Sequence, residues 1–97
     1  MIYFIDIDET ICVSPESRNY NESVPLQNNI RKANKLYDEG HTIVYWTARG
    51  ATSGIDWTDV TKKQFEKWEV KYHELRLDKP YYDLFIDDRV MNTEDWK

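Results

Sequence analysis

Ile2-Tyr3-Phe4-Ile5-Asp6-Ile7-Asp8-Glu9-Thr10 is the stretch that decides the fold class. Its first four residues are β-branched or aromatic without a polar break, the pattern of a strand buried on both faces. The run then meets two acids, Asp6 and Asp8, separated by Ile7. The same architecture recurs downstream. Thr42-Ile43-Val44-Tyr45-Trp46 is a second apolar strand, stopping at Thr47, and Leu84-Phe85-Ile86 is a third, stopping at Asp87-Asp88.

Between these runs lie helical patterns. Pro25 suits a first helical turn, Ile30, Ala33, Leu36 and Tyr37 follow at helical spacing, and Gly40 stands where a helix end favours the left-handed conformation. A helix is therefore predicted over 25–39. Thr58 and Asp59 open a second helix, with Phe65 and Trp68 on its apolar stripe. Residues 12–23 are rich in turn formers and read as a loop or short flap, and 48–57, with Gly50, Ser53 and Gly54, read as a loop. Val70 to Leu75 alternates apolar and polar residues as a short strand does, and the tail from Arg89 to Lys97 is a partial helix or frays.

The order β-α-β-α-β-β implies a mostly parallel sheet sandwiched by helices, a three-layer Rossmann-like α/β fold in one domain spanning 1–97. The connection over 76–83 is shorter than a parallel crossover requires. Two arrangements meet that constraint: a last helix reduced to an extended segment, or an edge position for the 70–75 strand.

Composition narrows the function. The net charge of −5 argues against nonspecific nucleic-acid binding, which draws on clustered Lys and Arg. The single Cys12 forms no internal disulfide and fits a reducing compartment. The first segment carries three acids and lacks the basic start of a signal peptide, and no run approaches the ~20 apolar residues of a membrane span. The expectation is a cytoplasmic protein with neither nucleic acid nor membrane as partner.

Ligands of open parallel sheets bind at the carboxyl ends of strands. If the three runs are neighbours, Asp6, Asp8, Asp87 and Asp88 meet in a small volume. So many carboxylates repel one another unless a cation neutralises them, and oxygen-only donors with room for water suit Mg²⁺.

Asp6-Ile7-Asp8-Glu9-Thr10 resembles the first motif of the haloacid-dehalogenase superfamily. Thr47, in Tyr45-Trp46-Thr47-Ala48-Arg49, is similar to its second motif, Lys79 before Pro80 resembles the third, and Ile86-Asp87-Asp88 the fourth. All four stand in the family's order and span 6 to 88. The resemblance implies a minimal, capless phosphatase that hydrolyses a small phosphomonoester, such as a sugar phosphate, through an aspartyl-phosphate. Asp6 would be the nucleophile and Asp8 the general acid and base. Mg²⁺ would be held by Asp6, the Asp8 backbone carbonyl, Asp87 and Asp88, and the phosphoryl oxygens by Thr47 and Lys79. Arg49 is the alternative cation on phosphate, against a structural ion pair. One departure stands out: Glu9 occupies a position that is usually Gly in the family. Neither cap position has space for a domain, so the site is open, and a neighbouring subunit, the 51–57 loop or a large substrate would have to exclude water.

Two other classes use similar parts. A phosphotransferase on the same scaffold passes phosphate to a hydroxyl. A receiver-type module accepts phosphate on an Asp that ends a middle strand, whereas here the middle strand ends in Thr47.

Overall fold

The computed structural model describes residues 1–97. Three strands form a parallel sheet in the order β1-β4-β5: β1 is Ile2–Ile5, β4 is Thr42–Trp46 and β5 is Glu74–Arg76. A short antiparallel pair, β2 (Cys12–Val13) with β3 (Val24–Pro25), closes a hairpin after β1. Helix α1 is Gln27–Asp38 and α2 is Thr58–Lys67. A single 3₁₀ turn at Thr93–Asp95 orders the tail. No helix is long and apolar enough to cross a membrane.

The chain steps across the sheet in one direction, and right-handed crossovers then set both helices on one face. Tyr3 pairs with Ile43 and Ile5 with Tyr45, so these four side chains share that face. Ile30 and Ala33 of α1, and Phe65 of α2, join Ile5, Ile43 and Tyr45 in one buried cluster. Tyr45 meets Phe65 edge to face at 4.9 Å. On the opposite face Ile2 and Phe4 are exposed, and Trp46 is met by Phe85. The helical layer thus covers one side of the sheet. The second helical layer expected from the sequence is absent, and irregular chain around Phe85 lies in its place.

Two boundaries differ from the sequence reading. The first helix starts at Gln27, because Val24 and Pro25 are taken up by pairing with the hairpin. The third strand of the sheet is Glu74–Arg76, later than the 70–75 alternation suggests. His73 occupies the step before it: its Nδ1 accepts from the Ile43 amide at 3.1 Å and its own amide donates to the Ile43 carbonyl.

The larger correction concerns 84–86, which forms no strand. Leu84 and Ile86 are 75% and 87% exposed, and the outer edge of β1 has no partner. The seven residues 77–83 do not carry the chain from the carboxyl end of β5 back to the start of a parallel neighbour. Apolar content was present there, but the connection was too short to use it.

Tyr45 lies in the core with its hydroxyl unpaired, and burial pushes its phenol upward from the ordinary tyrosine range. An unsatisfied buried hydroxyl costs about 1–3 kcal/mol. Tyr45→Phe is therefore expected to leave the melting temperature unchanged or raise it by a few degrees. Ile43→Ala, by contrast, should cost about 2–5 kcal/mol through the cavity it opens. Thermal unfolding followed by circular dichroism checks both.

Candidate functional site

Asp6 follows β1 directly and Thr47 follows β4 directly, so the β1–β4 register brings both to the carboxyl edge of the sheet. Past the formal strand ends the ladder continues. The Thr47 amide donates to the Arg76 carbonyl at 2.9 Å, and the Lys79 amide donates to the Thr47 carbonyl at 3.2 Å. This extension turns Lys79 onto the site: its Nζ lies 3.7 Å from Asp6 Oδ1, with the side chain largely buried against Trp46 and Tyr82. The short 76–83 connection therefore does not displace Lys79, because residues 77–79 track β4 and not the far edge of β1.

Asp6 keeps 42% of its side chain exposed, so the site is open to solvent. Partial burial pushes its carboxyl above the usual carboxylate range; the Lys79 ammonium and the Ile7 amide pull it back down, and the Asp8 charge adds to the rise. Thr47 is buried, and its Oγ1 accepts from the Arg49 amide at 3.2 Å, leaving the hydroxyl proton free to donate.

Asp8 is held quite differently. Arg49 Nη2 approaches Asp8 Oδ1 at 2.9 Å and Nε approaches Oδ2 at 3.1 Å, a fork with two donors on one carboxylate. Ser14 Oγ donates to Asp8 Oδ1 as well. The third arm of the guanidinium, Nη1, donates to Thr61 Oγ1 at 3.0 Å and to Gln64 Oε1 at 2.7 Å. Arg49, a candidate for binding phosphate, is thus turned inward with its side chain wholly buried and its donors spent on protein groups. The physical reason is local: Arg49 lies three residues past β4, under the hairpin and beside α2, where the Asp8 carboxylate is the nearest compensation for a buried cation.

The turn carrying Asp8 needs a left-handed residue, and Glu9 supplies it at φ +64°. The amides of Thr10 and Ile11 both donate to the Ile7 carbonyl, and the Glu9 amide donates to the Cys12 carbonyl at 2.8 Å. Glu9 Oε1 accepts from the Ser14 amide at 3.2 Å. A glutamate therefore adopts the conformation glycine prefers, with its side chain tied to the start of the hairpin.

Asp87 and Asp88 are exposed. The Arg89 amide donates to Asp87 Oδ1 at 3.0 Å, and that amide together with the Asp88 side chain holds Asp87 below the usual carboxylate range. Neither joins Asp6 and Asp8, and no three acidic, His or Cys side chains are gathered in a way that could hold a metal ion. The expected four-carboxylate cluster is not formed, because it depended on 84–86 being a strand beside β1. As arranged, the residues do not make the magnesium site that the motifs imply.

Sequence reasoning did not single out Ser14, Thr61 or Gln64, which complete the shell around Arg49 and Asp8. Ser and Thr in turns and helices carry no spacing signal for such contacts, and only folding places them. Beside this shell a cleft of about 170 Å³ is lined by Arg49, Gly50, Asp56, Trp57 and Leu77. A Cβ on Gly50 would lie 2.1 Å from the Ile55 carbonyl oxygen, so glycine is required for the loop to close this cleft.

No family model matches the sequence, and no curated protein does. A crystal structure of a protein from Vibrio cholerae, which bears a target designation and no functional name, is similar over 96% of this chain and 84% of its own, with TM-score 0.86 and 23% identity. That likeness establishes a compact α/β fold built on a three-stranded parallel sheet.

Two stability effects follow from the site. Glycine at position 9 relieves left-handed strain of about 1 kcal/mol but loses the bond to Ser14 and loosens the unfolded chain, so Glu9→Gly should stay within about 1 kcal/mol of the parent. Glu9→Val, β-branched at positive φ, should cost more than that, and urea titration separates the two. Because the folded Asp6 carboxyl titrates higher than the unfolded one, ionising it opposes folding. That penalty appears as pH rises from the ordinary carboxylate value through the folded one, and it is absent in strong acid. Asp6→Asn should then melt higher than the parent at pH 7, with the difference vanishing near pH 3.

Proposed function

We propose that this chain is a phosphomonoesterase of the haloacid-dehalogenase type, a capless Rossmann-like enzyme in which Asp6 is the nucleophile. The observation that carries the reading is the Asp6–Lys79 pair: a solvent-reachable carboxylate 3.7 Å from an ammonium at the carboxyl edge of a parallel sheet, next to Thr47. The first three of the four ordered sequence motifs supply these same residues.

The chemistry assigns each group a task. An Asp6 oxygen attacks phosphorus, the P–O bond to the leaving group breaks, and an aspartyl-phosphate forms. Lys79 offsets the negative charge of the incoming ester and stabilises the equatorial oxygens as the phosphoryl group passes across. The Thr47 hydroxyl donates to one of those oxygens. Asp8, two residues on, serves the proton of the leaving oxygen and then that of the water that attacks the intermediate. Hydrolysis releases inorganic phosphate and restores the Asp6 carboxylate. Magnesium, which the motif resemblance implies, would require Asp87 or Asp88 to approach Asp6, and the steps carried by Asp6, Asp8, Thr47 and Lys79 do not pass through it.

The substrate class is a small phosphorylated metabolite, with sugar phosphates leading, and the open site then needs a neighbouring subunit or the 51–57 loop to exclude water. Inorganic phosphate should be released from p-nitrophenyl phosphate, and Asp6→Asn should reduce turnover by at least about a thousandfold. Lys79→Ala should lower kcat by about 10²–10³, as removal of one charge-stabilising donor does elsewhere. Full activity in Asp6→Asn rules out the covalent route. A phosphorylated chain that persists without releasing phosphate points to a receiver-type acceptor instead, and transfer to an added sugar in preference to water points to a phosphotransferase.

A further inference from the structure

We infer that Arg49 is a positioning residue: it aims the Asp8 carboxylate and clamps the hairpin over residues 12–25 as a fixed wall of the site, without touching the phosphoryl group. The inference rests on the proposed role of Asp8 and goes beyond it in naming the group that orients this acid.

Three elements converge on the one guanidinium. From the turn after β1, Asp8 accepts from Nε and Nη2. From α2, Thr61 and Gln64 accept from Nη1. From the hairpin, Ser23 Oγ lies 3.5 Å from Nη2, and Ser23 in turn meets Ser14 Oγ at 2.7 Å. The Tyr20 ring, in the connection of that hairpin, stacks on the guanidinium at 4.7 Å. Gln64 also donates back to the Tyr20 carbonyl, so α2 and the hairpin are tied on both sides of Arg49. The Arg49 side chain is 0% exposed and that of Asp8 only 15%.

A buried cation persists only where every donor is satisfied, and here each nitrogen has a protein partner. The planar fork fixes direction as well as distance, so the Asp8 carboxylate has one orientation and not a range of rotamers. No domain closes over this site, and a rigid internal brace does what closure does in capped enzymes: it sets catalytic geometry before substrate arrives. A phosphate-binding arginine, by contrast, would direct free N–H groups into the open space beside Asp6 and Lys79.

The test is a double-mutant cycle on p-nitrophenyl phosphate hydrolysis, using Arg49→Lys, Asp8→Asn and the pair, each confirmed as folded by circular dichroism. Lysine keeps the charge and loses the fork. Arg49→Lys is expected to lower kcat about 10- to 100-fold with KM changed by no more than about threefold. The pair is expected to be no slower than Asp8→Asn alone, because Arg49 acts through Asp8. Additive losses, or a raised KM at unchanged kcat, overturn the inference and make Arg49 a substrate contact. If the parent protein turns over no phosphomonoester, the phosphatase reading fails by itself. The clamp is then decided by amide hydrogen exchange in Arg49→Lys and in the milder Gln64→Leu. Faster exchange at Cys12, Val13 and Ser14, with β4 still protected, supports the clamp, and unchanged exchange in both variants sinks it.

Discussion

The structure depends on the register of β1 against β4. Pairing Tyr3 with Ile43 and Ile5 with Tyr45 sends those four side chains into the core beneath the helices. The same alignment puts Asp6 and Thr47, the residues immediately after each strand, at one rim. Because side chains alternate along a strand, a slip of one residue would expose Ile43 and Tyr45 and separate the polar pair. Core burial and site assembly are thus one constraint. The hydrophobic term enforces it: the fully buried Ile43 side chain alone contributes about 1.5–3 kcal/mol on burial.

The charges divide by burial in a way that matches their chemistry. Lys71–Asp38 and Arg76–Asp78 are exposed pairs, of the kind worth little to stability. Arg49 and Asp8 are sequestered and bound to neighbours on every side, so their arrangement is a constraint on shape. Asp6 and Lys79 stand between these extremes: near enough to interact, with the carboxylate still reachable from solvent. A carboxylate that is partly desolvated and not fully paired is less comfortable in the folded state than in water. The proposed nucleophile role asks for such a group, since fully satisfying it would block its access to a ligand.

How much of this was legible depended on the range of the forces involved. Thr42–Trp46 is a strand with the limits its apolar run announces, because a continuous β-branched and aromatic segment leaves little choice. Helix α1 follows its apolar spacing, losing only its first residues to the hairpin partner of Cys12 and Val13. The 84–86 segment shows the limit of the same logic. Leu-Phe-Ile has the composition of a strand, yet strands exist by pairing, and connection length withheld the pairing. With it went the gathering of Asp87 and Asp88. Lys79 went the other way: marked in sequence only by its likeness to a motif, it was delivered by three residues that extend the β4–β5 ladder.

The sequence by itself determined the α/β class, the two parallel-strand cores, and the acids and hydroxyl at their ends, since periodicity and strand chemistry are local properties. Tertiary structure alone decided which of those groups meet. It aimed Lys79 at Asp6, enclosed Arg49 with Asp8, left Asp87 and Asp88 in solvent and gave Glu9 a glycine-like backbone. Each of those outcomes rests on contacts between residues distant in the chain, whose distances follow from strand order and crossover length and are not written in any local pattern.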